Sequence, residues 1–239
     1  MYKPGSAGHS ALMQAGRLLL KHVQQVTIWT AGAGGGGVVA VAVASGGLSV
    51  GSLAAGGAAG VGTAVWRWRK PSRWRSWLQG ARAEHRTGRL LNRLRREGWG
   101  VLHDRRVPRS RANLDHVLVH PSGNCLIYID TKAWHAAKAI IRVNGGRLMY
   151  GPWSQTDKVS TVAWEASRLR EITGLPTYAV IAVDGGKVNG GTLLFNSVLV
   201  TEAASLLTTL DNIQPNLVPR VDEVREVTRN IKREFAIAR

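Results

Sequence analysis

The stretch RANLDHVLVHPSGNCLIYIDTK, residues 111–132, contains the pattern that defines the fold of this chain. Residues 117–119 and residues 126–129 are strand formers, mostly β-branched, aliphatic or aromatic side chains. Between them, residues 121–124 read Pro-Ser-Gly-Asn, a cluster typical of a turn. The stretch therefore predicts a β-hairpin.

The register of this hairpin brings charged residues together. If His120 pairs with Cys125, then Asp115 lies directly opposite Asp130. Opposed residues share a face of the sheet with Cβ atoms roughly 5 Å apart, and like charges at that distance destabilise the pair. Lys132 lies two residues beyond Asp130 and points to the same face. Two carboxylates and an ammonium in one patch indicate a site that binds a cation or a substrate.

The charge of the chain is strongly positive and unevenly distributed. The 239 residues carry a formal net charge of +17, with a pI near 11.3. Residues 67–111 hold fifteen Arg or Lys against three acidic residues. Such a segment favours a polyanionic partner, either nucleic acid or an acidic membrane surface. The single cysteine, Cys125, excludes an internal disulfide and fits a reducing compartment.

The N-terminal third suggests a membrane segment. Residues 23–66 contain no Asp, Glu, Lys or Arg and are rich in Ala, Val, Gly and Leu. A helix of this length exceeds the roughly 30 Å hydrocarbon core of a bilayer. A disordered Gly/Ala linker is the alternative, whereas a signal peptide is disfavoured because the apolar region is too long and starts too late.

The flanks of this segment favour the membrane interpretation. Arg17 and Lys21 precede it, and WRWRKPSRWRSW (residues 66–77) follows it, interleaving Trp with basic residues as at a membrane interface. Nucleic acid could use the same Arg/Trp pattern through stacking. Two arrangements remain open: a helical hairpin over about 24–44 and 48–66, or a single span. Two Gly-xxx-Gly spacings, at Gly47 and at Gly56, would allow close helix packing.

The rest of the chain predicts an α/β domain. Residues 76–99 have helical periodicity, with Leu90 and Leu91 on one stripe. Glu84 falls within about 20° of Leu91 on the helical wheel, so a carboxylate lies at the buried edge of this helix. A strand, the opening hairpin, a second hairpin at 139–151, a helix at 156–172, two strands and two closing helices follow. We expect a mixed sheet flanked by helices.

These elements resemble the NERD (nuclease-related) domain, a branch of the PD-(D/E)XK restriction-endonuclease-like superfamily, over roughly residues 78–185. The specific feature is the order: an acidic helix, then LDHVLV (114–119), a Pro/Gly turn, and an apolar strand ending in Asp-x-Lys and an aromatic residue. Two positions depart from the usual pattern. Ala83 stands where Gly commonly precedes the helix Glu, and Asp130 stands where Glu is common.

The resemblance implies site residues and a cofactor. It makes Glu84, Asp115, Asp130 and Lys132 the catalytic set, together with Gln155, which resembles a Gln often found before the next helix. Asp115 and Asp130, with Glu84, would hold Mg²⁺ or Mn²⁺, the hard cations that carboxylates bind. Lys132 would orient or deprotonate the attacking water. The nucleic-acid backbone would contact arginines of the first helix and the following loop: Arg82, Arg86, Arg89, Arg93, Arg109 and Arg111.

Three hypotheses of different classes follow. The first is a membrane-anchored, metal-dependent nuclease that hydrolyses DNA, in preference to RNA, on the cytoplasmic side of the cytoplasmic membrane. The second is a non-catalytic module that binds nucleic acid or a partner at the membrane. The third is a structural membrane protein whose basic segment only binds acidic lipid. The predicted organisation is a basic tail (1–22), a transmembrane segment (23–66), a basic, Trp-rich linker (67–77), the nuclease-like domain (78–200) and C-terminal helices packed on it (201–239), with residues 23–77 contacting the membrane.

Overall fold

The structure, a computed structural model, describes residues 5–45, 47, 50–69, 73–135, 139–213 and 221–238. The chain forms two compact units. One consists of the described residues up to Ala11 together with those from Gln79 onwards, and the other consists of Leu12–Leu78. Part of the segment predicted as an N-terminal tail therefore belongs to the same unit as the nuclease-like domain.

The second unit is built from two antiparallel helices, α1 (His9–Ser45) and α2 (Val50–Arg69). Gly56 and Gly60 of α2 are buried against α1. A Cβ at Gly56 would overlap the Val38 side chain and lie 2.6 Å from the Gly34 carbonyl oxygen, so the two backbones approach as closely as only glycine permits. The Gly-xxx-Gly spacing at Gly56 is thus a helix contact.

One helix among the described residues is long and apolar enough to cross a membrane, over His9–Ala44. The Gly-rich α2 does not meet that criterion in the described part of the chain. At the end of α2, the Arg67 guanidinium lies over the Trp29 ring of α1 at 5.3 Å. The aromatic and basic residues of the two helices therefore gather at the end of the pair that lies away from their connection.

The first unit is built around a six-stranded mixed sheet in the order β1-β2-β3-β7-β10-β9. Its strands are β1 (Gly100–Arg106), β2 (Asn113–Val119), β3 (Leu126–Ala133), β7 (Thr177–Asp184), β9 (Thr192–Phe195) and β10 (Val198–Glu202). The pairs β3–β7 and β7–β10 are parallel, and the others are antiparallel. The predicted mixed sheet is confirmed.

A second, four-stranded sheet has the order β6-β5-β4-β8. It contains β4 (Ile140–Asn144), β5 (Arg147–Tyr150), β6 (Trp153–Ser154) and β8 (Lys187–Val188). The short strands β6, β8 and β9 were not among the predicted elements.

Helices cover both faces of the six-stranded sheet. They are α3 (Arg73–Leu91), which continues as a 3-10 helix (Asn92–Glu97), α4 (Thr156–Thr173), α5 (Leu206–Asp211), which follows a 3-10 turn (Ala203–Ser205), and α6 (Val221–Glu234). Gly174 ends α4 in the left-handed conformation at φ 70°, a position that glycine adopts without strain.

Each face of this sheet has its own core. Leu102, Val117, Tyr128 and Ile181 pack with α4 and α6 on one face. On the other face, strand residues such as Ile129 pack with Leu91 and the 3-10 helix. The faces alternate along each strand, so odd-numbered residues of β2 and even-numbered residues of β3 point to the α4/α6 face. This alternation determines which charged residues meet.

Candidate active site

Asp115 and Asp130 lie side by side on the α4/α6 face of the sheet. The register of β2 and β3 pairs His116 with Ile129 and Val119 with Leu126, and one further step sets Asp115 opposite Asp130. At the turn, the His120 N–H donates to the Cys125 carbonyl at 3.1 Å. The hairpin register expected from the sequence is therefore confirmed.

Lys132 is bound directly to Asp130. Its Nζ lies 2.8 Å from Asp130 Oδ1, to which it donates a hydrogen bond, and 2.7 Å from Oδ2. Oδ2 is buried and makes no hydrogen bond within the described residues, although the Lys132 ammonium lies close to it. Asp130 is only 6% exposed, so this ion pair is largely shielded from solvent.

Asp115 and Glu84 complete an acidic cluster. One oxygen of Asp115 accepts a hydrogen bond from the Thr131 N–H at 2.9 Å. Burial, and then the charges of Glu84 and Asp130, raise the pKa of Asp115 well above its ordinary value. The pKa of Glu84 is raised to about 8, chiefly by burial and then by the charges of Asp104 and Asp130, while the charge of Lys132 acts in the opposite direction. Burial and the neighbouring negative charges thus disfavour the ionised forms of Glu84 and Asp115, and a bound cation would relieve that cost.

Lys132 is suited to remain a protonated ammonium rather than to act as a general base. Burial alone would lower its pKa, but the charges of Asp130 and Asp115 outweigh burial, so the pKa of Lys132 is raised above its ordinary value. The ammonium therefore stays protonated across physiological pH. This geometry supports the orienting role of Lys132 rather than deprotonation of a water.

Glu165 of α4 is a cluster neighbour that the sequence analysis missed. It is buried, and the Tyr128 hydroxyl donates to its Oε2 at 2.7 Å. Burial raises its pKa to about 7; the Tyr128 hydrogen bond opposes this shift, and the charge of Asp130 adds to it. A signal was available, because Glu165 falls on the apolar stripe of α4 between Val162 and Leu169.

Asp104 is a second neighbour that was missed. The β1–β2 register pairs His103 with His116 and Arg105 with Leu114, which leaves Asp104 beside Asp115. Its backbone is left-handed at φ 53°, and its carboxylate accepts two hydrogen bonds from Ser10, one from the N–H at 2.9 Å and one from Oγ at 2.7 Å.

The first described residues therefore dock beside the acidic cluster. A Cβ at Gly8 would lie 2.5 Å from the Ala81 carbonyl oxygen, and one at Gly88 would overlap the Ala7 side chain. Ala81 and Gly88 belong to the same helix as Glu84 and flank it by one turn on either side. No local pattern could have predicted this contact, because it joins residues more than 70 positions apart.

A histidine pair lies behind the cluster, on the opposite face of the sheet. His103 Nδ1 and His116 Nδ1 are 2.9 Å apart, His103 Nε2 is 3.2 Å from Asn92 Oδ1, and His116 Nε2 is 3.2 Å from Thr131 Oγ1. One proton arrangement satisfies all three contacts: Thr131 donates to His116, His116 donates to His103, and His103 donates to Asn92. Both rings are then neutral. His116 thus lies on the face opposite Asp115, as the alternation of side chains along β2 requires.

Five of the six predicted backbone-binding arginines line two clefts. Arg86, Arg89 and Arg93 line one of about 660 Å³, where Arg86 forms an ion pair with Asp184. Arg109 and Arg111 line another of about 430 Å³. Arg82 is exposed on α3.

The remaining candidates lie elsewhere. Gln155 precedes α4, where its N–H donates to the Leu148 carbonyl at 2.7 Å and its side chain makes no capping hydrogen bond. Within the described residues, no contact joins it to Glu84, Asp115, Asp130 or Lys132. Beyond the Asp-x-Lys pair, the His135 ring nitrogen lies 3.2 Å from Asp184, and Trp134 stacks on Tyr150 with centroids 5.4 Å apart.

The donor set fits a small hard cation. Mg²⁺ is commonly held by one or two carboxylates, with waters and phosphate oxygens completing its shell. Asp115 and Asp130 offer such carboxylates; Asp130 Oδ2 makes no hydrogen bond within the described residues and lies 2.7 Å from the Lys132 Nζ, so a cation there would share this oxygen with the ammonium. No group of three or more His, Cys, Asp or Glu side chains within the described residues stands in a metal-holding arrangement.

Comparison with known proteins yields one match. The family model described as "Nuclease-related domain" matches residues 79–185, which include Glu84, Asp115, Asp130 and Lys132. No curated protein and no solved structure matches this chain.

Proposed function

Because residues 79–185 form a nuclease-related (NERD) domain, we propose that this chain is a membrane-anchored, metal-dependent nuclease that hydrolyses DNA. The observation that carries the proposal is the cluster of Glu84, Asp115 and Asp130 with Lys132 at one end of the β2–β3 hairpin. The family implies the PD-(D/E)XK superfamily. In the Asp-x-Lys pair, the Lys132 ammonium lies beside the Asp130 carboxylate, where its positive charge could stabilise the negative charge of a phosphate.

Each residue of the cluster has a chemical role in this proposal. Asp115 and Asp130, with Glu84, would hold a divalent cation, which would supply positive charge against the phosphate. Lys132, kept protonated by its two carboxylate neighbours, donates a hydrogen bond to the attacking water or to a phosphate oxygen. The water oxygen forms a new bond to phosphorus as the bond to one ester oxygen breaks. One water proton passes to solvent, and the leaving oxygen takes up a proton.

The basic surface would hold the substrate. Arg82, Arg89 and Arg93 project from α3 and the 3-10 helix, and Arg109 and Arg111 project from the loop after β1. Such cations contact phosphates independently of base sequence, so the binding should weaken steeply with salt.

The anchor would be a two-span hairpin. The described residues up to Ala11 and those from Gln79 belong to one compact unit, so a chain that enters a membrane between them must return to the same side. It therefore crosses an even number of times, and α2 is the second span. Its 20 residues form a helix about 30 Å long, which equals the thickness of the hydrocarbon core.

The charge pattern supports one orientation of that hairpin. Arg17 and Lys21 on α1, with Arg67 and Arg69 on α2, all lie towards the open end, and residues 23–66 contain no charge. Basic residues favour the cytoplasmic side. The nuclease-related domain would thus face the cytoplasm.

A non-catalytic binding module is the second candidate, and one observation favours it. Lys132 contacts both oxygens of Asp130, so a cation would have to share that carboxylate with the ammonium. If the site holds this ion pair under all conditions, the domain binds nucleic acid or a partner without cutting it.

An activity assay on the full-length protein in detergent distinguishes these candidates. Plasmid, linear and single-stranded DNA and RNA are incubated with Mg²⁺, Mn²⁺ or EDTA. We expect metal-dependent cutting of DNA that falls roughly 100-fold or more in Asp130→Asn and Lys132→Met. Asp211→Asn, which removes an exposed aspartate of α5, is the matched control and should cut as the wild type does. Salt-sensitive binding without any cutting would select the binding module instead.

The anchor has its own test. In a Cys125→Ser background, Gly47→Cys marks the turn between α1 and α2, and Ser160→Cys marks the nuclease-related domain. In spheroplasts of a bacterial host, a membrane-impermeant maleimide should label position 47 from outside and position 160 only after permeabilisation. Labelling of position 160 from outside, or of position 47 only from inside, would contradict the two-span hairpin.

A further inference from the structure

A third basic cleft lies at the edge strand β1. It has a volume of about 430 Å³ and lies between the 3-10 helix, the start of β1 and α6. Trp99 lines it together with four cations, and no Asp or Glu is among the lining residues that the structure describes. The cations are Arg95, Arg225, Arg229 and Lys232.

The sequence of α6 places three of these cations on one stripe. Arg225, Arg229 and Lys232 follow one another at intervals of four and three residues, which keeps them within about 60° of the helix surface. Val224 and Ile231 are buried in the core on the α6 side of the sheet. The helix therefore packs through its apolar residues and presents basic residues to the cleft, of which Arg225 also forms an exposed ion pair with Asp222 at 3.8 Å.

Arg95 is fixed in position before any ligand arrives. Its Nε donates to Asn92 Oδ1 at 2.8 Å, and its Nη2 donates to the Val101 carbonyl at 2.7 Å. Both partners are neutral, so the guanidinium keeps its full charge for an anion. Thr228 lines the same cleft, and its buried Oγ1 has no hydrogen bond within the described residues. A guanidinium held by neutral partners, with three further cations lining the same cleft, suits an anion with several acceptor oxygens.

We propose that this cleft binds the phosphate backbone of a polynucleotide. The inference rests on the proposed nuclease function and extends its substrate surface to α6. The 3-10 helix separates this cleft from the one lined by Arg86, Arg89 and Arg93, so Arg93 and Arg95 carry a basic path from one cleft to the other. A path of this kind fits a chain of phosphates better than the single phosphate of a lipid headgroup.

The position of the cleft sets the reach of the ligand. Gly100 lines the cleft, whereas Asp104, four residues further along β1, lies in register beside Asp115. Four residues of strand span roughly 13 Å. At about 3.4 Å per phosphate along each strand of a duplex, this distance corresponds to about four base pairs. A nucleic acid cut at the carboxylates is long enough to reach α6 with its next few phosphates.

The salt dependence of binding tests this proposal. The full-length protein in EDTA and detergent is titrated with DNA and RNA over a range of salt concentrations. The variant Arg229→Gln/Lys232→Gln removes two cleft cations. The control Arg170→Gln/Arg233→Gln removes two exposed cations outside the cleft lining. Each lost phosphate contact should reduce the slope of log K against log salt by about 0.9, so the cleft variant should lose about 1.8 and the control almost nothing.

Each outcome either supports or overturns the proposal that this cleft binds a polynucleotide. If the slope falls equally in both variants, with unchanged melting temperature, binding depends on the overall charge of the protein. This result overturns the cleft proposal and leaves the nuclease function in place. Absence of polynucleotide binding by the wild type overturns the proposed function itself. A parallel titration uses short-chain phosphatidylglycerol. If the cleft variant no longer binds this lipid but keeps the wild-type salt dependence of polynucleotide binding, the cleft is a lipid-headgroup site and the proposal is wrong.

Discussion

Replacing the buried histidine pair with His103→Leu/His116→Leu should remove a large acid sensitivity from the folded state. Burial, and then the charges of Arg95 and Arg105, lower the pKa of His103 from 6.5 to about 4. Burial also lowers the pKa of His116 well below its ordinary value, and the neighbouring His103 adds to this. Between pH 7 and pH 4, the two histidines therefore bind protons in the unfolded chain and remain largely neutral in the folded chain.

The magnitude follows from His103 alone. A histidine whose folded pKa is depressed leaves stability intact above the unfolded pKa, and stability is lost as the pH falls towards the folded pKa. One pKa unit corresponds to about 1.4 kcal/mol, so His103 contributes a loss of about 3 kcal/mol at pH 4 and about 2 kcal/mol at pH 5. His116 adds to this loss. Since domains are typically stable by 5–15 kcal/mol, the effect is large enough to measure.

The assay compares wild type and the double variant by urea unfolding at pH 7.5, 6 and 5, with the full-length protein in mild detergent. The raised pKa values of Glu84 and Glu165 act in the opposite direction, but they do so equally in both proteins. The difference in unfolding free energy should therefore shift by at least about 2 kcal/mol in favour of the variant between pH 7.5 and pH 5. A difference that does not change with pH would refute the neutral, buried pair.

Two further substitutions test particular contacts. Gly56→Ala should destabilise the α1–α2 pair, because the added Cβ meets Val38, whereas Gly57→Ala, which faces open space, should not. The temperature of heat-induced aggregation in detergent is measured for both variants. Equal temperatures would argue against the close packing. Tyr128→Phe leaves buried Glu165 without its hydroxyl donor, which should cost about 1–3 kcal/mol. The cost should be larger at pH 8 than at pH 6, since the variant raises the pKa of Glu165 further; urea unfolding that shows no such difference would contradict the contact.

Several features of the site could be predicted from the sequence because they depend on local geometry. The alternation of β2 and β3 and the turn between them fixed which residue faces which, so Asp115, Asp130 and Lys132 could be placed on one face. Helical periodicity placed Glu84 at the half-buried edge of α3. Glu165 was predictable by the same rule, because it falls on the apolar stripe of α4, but it was not among the predicted site residues.

Other features required the folded chain. The hydrogen bonds from Ser10 to Asp104 span 94 residues, and the hydrogen bond from Tyr128 to Glu165 spans 37. The raised pKa of Lys132 depends on how two carboxylates and burial combine around it, which no spacing along the chain encodes.

The sequence by itself determined the hairpin register, the Asp-x-Lys pair, the mixed sheet and the uncharged segment 23–66, because period, turn chemistry and charge act over a few residues. Only the tertiary structure decided that the first residues dock beside Glu84, that α6 adds a basic stripe to the edge of β1, and that a neutral histidine pair lies behind the cluster. These depend on the packing of elements distant in the chain, where burial and the dielectric environment of each group are settled by its neighbours in space.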